Sequence, residues 1–147
     1  MVKHFDHVTV VVRDLEKAKA FFALLGFEQD RSVVISGERV ARYMSVPGIE
    51  ADHVTLVLRG ASPGTPRTEV QLLHYRRPDA LPDPTLERLD RVGFNHVCFA
   101  VDDLEALLAR LRAEGVATRS EVMDFQQRKL VFLVGPEGIT VELAQWE

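Results

Sequence analysis

The sequence holds one cysteine, one tryptophan and two tyrosines among 147 residues. Cys98 alone cannot form an intramolecular disulfide, so nothing ties the chain to an oxidising compartment. No apolar run approaches the roughly 20 residues that a membrane-spanning helix needs. The N-terminal MVKHFDHV lacks the apolar stretch of a secretory signal. Positive charge is also short: 18 Lys and Arg stand against 22 Asp and Glu, for a net charge of −4. A nucleic-acid or anionic-membrane partner would need a basic face, and Arg76-Arg77 and Arg128-Lys129 are local pairs only. These absences leave cytoplasmic as the default, with neither a nucleic-acid nor a membrane partner expected. At 46% hydrophobic and 27% charged the chain is ordinary for a globular protein, and its length fits one compact domain with a real core.

What is present is a repeat. Residues 6–22, DHVTVVVRDLEKAKAFF, superpose without a gap on 95–111, NHVCFAVDDLEALLARL, at an offset of 89. His7 falls on His96, Asp14 on Asp103 and Gly26 on Gly115. A second echo aligns VQLLHY (70–75) with VELAQW (141–146), pairing Gln71 with Glu142 and Tyr75 with Trp146. A repeated module usually cannot bury its apolar face alone.

Each half opens with an alternating strand. Val8, Val10 and Val12 lie on one face and His7, Thr9 and Val11 on the other; Val97, Phe99 and Val101 oppose His96, Cys98 and Ala100. A helix follows, capped by Asp14 in one half and by Asp102 or Asp103 in the other. Asp102 and Glu105 also have capping-box spacing. The apolar stripes are Leu15, Ala18, Phe22 and Leu25, then Leu104, Leu107, Leu108 and Leu111. Strand-like runs come next at about 27–35, 39–46, 53–59 and 68–75, and at about 116–123, 129–134 and 139–146, divided by Gly and Pro turns. The stretch 77–92, rich in proline and charge, reads as a linker between module 1 (about 1–76) and module 2 (about 93–147). The expected fold is α+β: two tandem βαβββ modules forming a curved mixed sheet around a shared cleft, with the helices outside.

The paired polar positions carry the chemistry. His7, Gln71, His96 and Glu142 offer two imidazole nitrogens and two oxygens, a set suited to one divalent ion among Co, Mn, Ni, Zn and Fe. Only Glu142 is charged, so the ion would keep much of its Lewis acidity. Thr9, Cys98, Tyr75 and Trp146 are the expected pocket residues, and Arg39, Arg42, Phe125 and Arg128 are further lining candidates from their strand positions. Cys98 has no base partner in the sequence and reads as a buried small residue. His74 falls on the strand face opposite Gln71, and His4 precedes the first strand and should face solvent.

At these residues the chain resembles the vicinal oxygen chelate superfamily, which includes glyoxalase I, methylmalonyl-CoA epimerase, extradiol dioxygenases and the bleomycin and fosfomycin resistance proteins. The carriers are DHVTVVVRDLEKAKAFF, GFNHVCFAVDDLEALLARL and GPEGITVEL, together covering nearly the whole chain. The order His, Gln, His, Glu is similar to that of methylmalonyl-CoA epimerases. The resemblance implies a metal held by His7, Gln71, His96 and Glu142 that chelates a malonyl-type thioester and stabilises its enolate. The resemblance thus implies a metal-dependent isomerase, epimerase or lyase, with Glu142 among the expected catalytic residues. The epimerases carry a glutamate base on the strand corresponding to 52–58, where this chain has His53 and Thr55, with Glu50 just before; His53 is the substitute base candidate. GPEG (135–138) also replaces the family's HPK-type turn. Glyoxalase chemistry is a variant that usually has glutamate at the Gln71 position. Two alternatives stay open. His7, His96 and Glu142 alone form the 2-His-1-carboxylate set of an Fe(II) ring-cleaving dioxygenase, and some relatives bind antibiotics without catalysis. The resemblance also implies a homodimer.

Overall fold

The computed structural model describes residues 1–147 and divides into two compact units, Met1–Pro82 and Asp83–Glu147. The division falls within the proline-rich stretch expected to join the modules. The first unit runs β1 (His7–Val11), α1 (Leu15–Leu24), β2 (Phe27–Ser36), α2 (Glu38–Met44), β3 (Glu50–Leu58) and β4 (Glu69–Arg77). The second runs β5 (Val97–Ala100), α3 (Leu104–Ala113), β6 (Met123–Asp124), β7 (Arg128–Val134), a 3₁₀ turn at Pro136–Gly138 and β8 (Thr140–Trp146).

Each unit holds one four-stranded sheet, in the orders β1-β4-β3-β2 and β5-β8-β7-β6. In both, the first strand pairs parallel with the last and the remaining pairs are antiparallel. The repeat is therefore a topological repeat, and the α+β class with two βαβββ modules is the observed one.

The helices begin where acidic side chains satisfy free backbone N–H groups. Asp14 accepts from the Lys17 N–H, and Asp103, rather than Asp102, accepts from the Ala106 N–H at 3.0 Å. Both helices end before a glycine with positive φ, Gly26 at 95° and Gly115 at 84°. Helix α1 buries Ala18, Phe21 and Phe22, and α3 buries Leu104, Leu108 and Leu111. Phe22 meets Phe21 and Phe27 edge-on, at 5.2 and 5.9 Å between ring centroids. Val10, Val54, Leu56, Val70 and Leu72 are among the buried strand residues of the first unit, with Val12 just past β1; Val131, Leu133, Val141 and Leu143 serve the second. Alternation thus gives each sheet one apolar face and leaves the other for chemistry.

Two strand expectations change. Residues 39–46 do not form a strand, because ERVARYM makes α2. Val40, Ala41 and Met44 have helical spacing, and they pack with Ile35, Ile49, Ala51, Leu73 and Tyr75. Arg39 and Arg42 consequently sit on a helix, facing outward beside Tyr43 and away from the strand positions assigned to them. Residues 116–123 are strand-like only in part. Arg119 N–H donates to the Phe132 carbonyl and Val134 N–H to the Ala117 carbonyl. The Phe132 N–H, however, goes to the Ser120 hydroxyl at 3.0 Å, which interrupts the backbone ladder.

Leu108 is fully buried. Leu108→Ala should cost about 2–5 kcal/mol in urea unfolding, through lost transfer energy and a cavity. A loss below about 1 kcal/mol would mean that α3 is not packed on its sheet as described.

Candidate active site

On the open face of the first sheet, register fixes the neighbours of each polar side chain. Thr9, Gln71, Thr55 and Arg31 form one row across β1, β4, β3 and β2. Val11, Leu73, His53 and Val33 form the next, and His7 and Glu69 lie on the other side of the Gln71 row. Adjacent same-face residues in a strand lie within reach of long side chains on the neighbouring strand. Hydrogen bonds follow this lattice. Arg67 donates to Asp30 at 2.7 Å and to Glu69 at 2.6 Å, and the Gln71 amide Nε2 donates to Glu69 at 3.2 Å. His53 Nε2 then donates to Gln71 Oε1 at 3.0 Å. The Gln71 amide is thereby held at both ends, with a second lone pair left on its oxygen. The guanidinium of Arg67 holds the Glu69 carboxyl below its ordinary range. His53, Thr55, Glu69 and Gln71 line one cavity of about 430 Å³ with Asp30, Arg31, Val33 and Arg67.

In the second unit, Cys98 stands opposite Glu142 on β8, and Phe132 stands opposite Glu142 on its other side. His96 packs edge-on against Phe132 at 5.1 Å. Its Nε2 lies 3.7 Å from Glu142 Oε1. That is too long for a hydrogen bond. It is close to the roughly 3.3 Å that separates two ligands on one tetrahedral ion.

The two histidines expected to bind metal share one further feature. His7 Nδ1 is hydrogen-bonded to Asp6, and His96 Nδ1 to Asn95 at 2.7 Å. Each bond places the ring proton on Nδ1 and leaves the Nε2 lone pair free, as a metal-binding imidazole requires. Within each unit the donor types, imidazole with amide for His7 and Gln71 and imidazole with carboxylate for His96 and Glu142, are ones that suit a divalent ion. Within neither unit do three His, Cys, Asp or Glu side chains cluster to hold one. The first unit holds one imidazole and one amide of the expected set; the second holds one imidazole and one carboxylate. Asp6 and Asn95 were missed as orienting residues, although the repeat itself aligns Asp6-His7 with Asn95-His96.

The other expected residues divide. Thr9 is exposed and in register with Gln71. Tyr75 packs on the α2 cluster, away from the Gln71 cavity, because α2 covers that end of the sheet. Trp146 has no such cover and lines a separate cavity with Phe125 and Arg128. Arg39 and Arg42 line another, with Val40 and Tyr43. Cys98 is exposed, not buried, since the β5 face that carries it is the open one. Desolvation by its surroundings, then its hydrogen bond to Glu142 and that residue's charge, push its thiol up to about 12, so it is not a poised nucleophile. His4 is exposed. His74 lies on the opposite face from Gln71 and bonds to Asp52 at 3.0 Å. No helix is long and apolar enough to cross a membrane.

This topology and pattern have clear relatives. The family profile of the Glyoxalase/Bleomycin resistance protein/Dioxygenase superfamily matches residues 6–132, and the chain belongs to that superfamily. Lactoylglutathione lyase of Schizosaccharomyces pombe is 24% identical over 144 residues, 96% of this chain and 44% of that protein, so the chain spans less than half of the lyase. Mitochondrial methylmalonyl-CoA epimerase of Homo sapiens is 28% identical over 145 residues, 95% of this chain and 72% of the epimerase. A crystal structure of a glyoxalase family protein from Bacillus cereus superposes with a TM-score of 0.87 at 22% identity, covering 99% of this chain and 95% of that one, which shows the shared fold.

Asp52 accepts from Arg76 at 2.7 Å and from His74, and these bonds, Arg76 first, hold its carboxyl below the ordinary 3.8. A lowered folded-state value means stability that is present above about pH 3.8 and is lost as pH falls through the folded value. Asp52→Asn should therefore lower Tm at neutral pH, with the deficit vanishing in strong acid. A deficit that stays constant from neutral pH down to full carboxyl protonation would refute this account of Asp52.

Proposed function

We propose that the chain is a metal-dependent isomerase, epimerase or lyase acting on a small carbonyl or acyl-thioester substrate through an enolate-like intermediate. The observation that carries this reading is the matched arrangement of the two histidines, each bound at Nδ1 by the preceding side chain, with His96 Nε2 converging on Glu142. His7, Gln71, His96 and Glu142 are the proposed ligands. When bound, a divalent ion would supply Lewis acidity to a carbonyl oxygen. His53 is the proposed base. Its Nε2 proton is committed to Gln71, so the nitrogen that accepts a substrate proton is Nδ1. The same bond couples the orientation of the base to that of a ligand. Similarity to the human epimerase over nearly the whole chain favours a malonyl-type thioester.

One observation favours ring cleavage as the second reading. The Gln71 amide is already bonded to Glu69 and His53, which is how a spectator residue beside a His7, His96 and Glu142 triad would look. The iron requirement and oxygen uptake separate the two.

Chelator-stripped protein should take up one divalent ion per chain, and Glu142→Ala should abolish that uptake. Asn95→Ala should weaken it by about 10–100-fold, as loss of an orienting partner does. Equal binding by all three proteins would eliminate the metal reading. In the metal-loaded protein, His53→Gln keeps an amide to bond Gln71 but removes the base. It should retain metal affinity within about threefold and lose deuterium exchange at the α-carbon of a methylmalonyl thioester by at least about 100-fold. Exchange that persists at the native rate would exclude His53 as the base.

A further inference from the structure

The two units share one topology but differ in how their second and third sheet strands are joined. In the first, β2 and β3 are joined through α2, which covers Tyr75. In the second, β6 and β7 are joined by residues 125–127 alone. Trp146, the repeat partner of Tyr75, is consequently 59% exposed. With Phe125, Gln126, Gln127, Arg128 and Leu130 it lines a cavity of about 530 Å³.

This cavity is ordered by backbone bonds. Phe125 N–H donates to the Arg128 carbonyl at 2.9 Å, and Asp124 accepts from the Gln126 N–H at 3.0 Å. The Glu147 N–H donates to the Gln127 carbonyl at 2.9 Å, tying the turn to the end of β8. Arg128 is opposite Trp146 in register, and its guanidinium lies 5.1 Å from the indole centroid. The guanidinium takes the indole, not a carboxylate, as its partner. A guanidinium whose carbon lies over an aromatic ring keeps its N–H donors for an incoming anion.

The cavity shares the Glu142 face. Arg128, Leu130 and Phe132 alternate along β7 opposite Trp146, Ala144 and Glu142 on β8. Four residue steps along β8 separate Glu142 from Trp146, roughly 13 Å.

We propose that Arg128, Trp146 and Phe125 form a binding subsite for a flat-ringed anion, a carboxylate or phosphate attached to an aromatic or heteroaromatic ring. The guanidinium takes the anion, the exposed Phe125 and Trp146 rings take the flat part, and the Gln126 and Gln127 amides serve its polar edge. The subsite stands on its own geometry. Its assignment as the seat of the substrate's far end rests on the metal reading of Glu142.

Trp146 is the chain's one tryptophan, so its emission reports on this subsite directly. Chelator-treated protein is titrated with phenyl phosphate, inorganic phosphate and benzyl alcohol, and equilibrium dialysis checks each affinity independently of the indole. Phenyl phosphate should bind saturably and at least about tenfold tighter than either single-feature probe. Arg128→Gln, an exposed change, should lose at least about tenfold with unchanged circular dichroism, and Arg128→Lys should recover part of it. Glu142→Ala should bind phenyl phosphate as the native protein does. Equal binding of the three probes, or full affinity in Arg128→Gln, overturns the subsite. Phenyl phosphate binding without metal uptake leaves the subsite standing and removes the metal reading.

Discussion

Parallel pairing of the first strand of each unit with its last is the constraint on which the rest depends. Strands that lie side by side in parallel need a long crossover, and here that path runs through two further strands with one helix in the second unit and two in the first. The pairing sets Thr9 opposite Gln71 and Cys98 opposite Glu142. Because pleat alternation is strict, it also brings His7 and His96 onto the same faces as those residues. A one-residue slip in either pair would turn that pair's histidine toward the helix and bury its polar ring. The buried valines and leucines of the opposite face are what forbid that slip.

Side-chain bonds then refine what the backbone has placed. Asp6 and Asn95 fix the imidazoles from the residue before each one, so their effect is built into the strand's entry and needs no distant contact. Gln71 is treated differently. Its amide is the middle of a chain from Asp30 through Arg67 and Glu69 to His53, which spans β2, β3 and β4. Each member limits the rotamers of the next, so a change as far away as Asp30 acts on the orientation of Gln71. The first unit thus carries a preset polar network, whereas the second places a carboxylate, an imidazole and an aromatic ring close together with fewer bonds among them.

The repeat also diverges, at the ends of the two sheets where Tyr75 and Trp146 lie. An extra helix closes the Tyr75 end in the first unit and buries Ala41, Ile49, Ala51 and Leu73. The short β6–β7 turn leaves the Trp146 end open beside Arg128. Residues that are equivalent by repeat, Tyr75 and Trp146, therefore have opposite fates. One fills a core and the other borders a cavity.

Much of this was legible in the chain itself. The gapless match of 6–22 with 95–111, and the echo of 70–75 in 141–146, pointed to two βαβββ modules with acidic helix caps and glycine stops, and to His7 with His96 and Gln71 with Glu142 as equivalent positions, because those depend on local periodicity and short-range bonding. The face opposite to Gln71 was likewise correctly given to His74 by alternation alone. Other features belong to the tertiary structure. Helix α2 looked like a strand because Val40 and Met44 satisfy either period, and only packing on Ile35, Ala51 and Leu73 selects the helix. The bond from His53 to Gln71 joins residues on neighbouring strands, and the chain Asp30–Arg67–Glu69 spans 39 positions of sequence. The exposure of Cys98 and the open cavity at Trp146 depend on what does not cover them. Local pattern sets which way a side chain points; only the assembled sheet decides what it meets there.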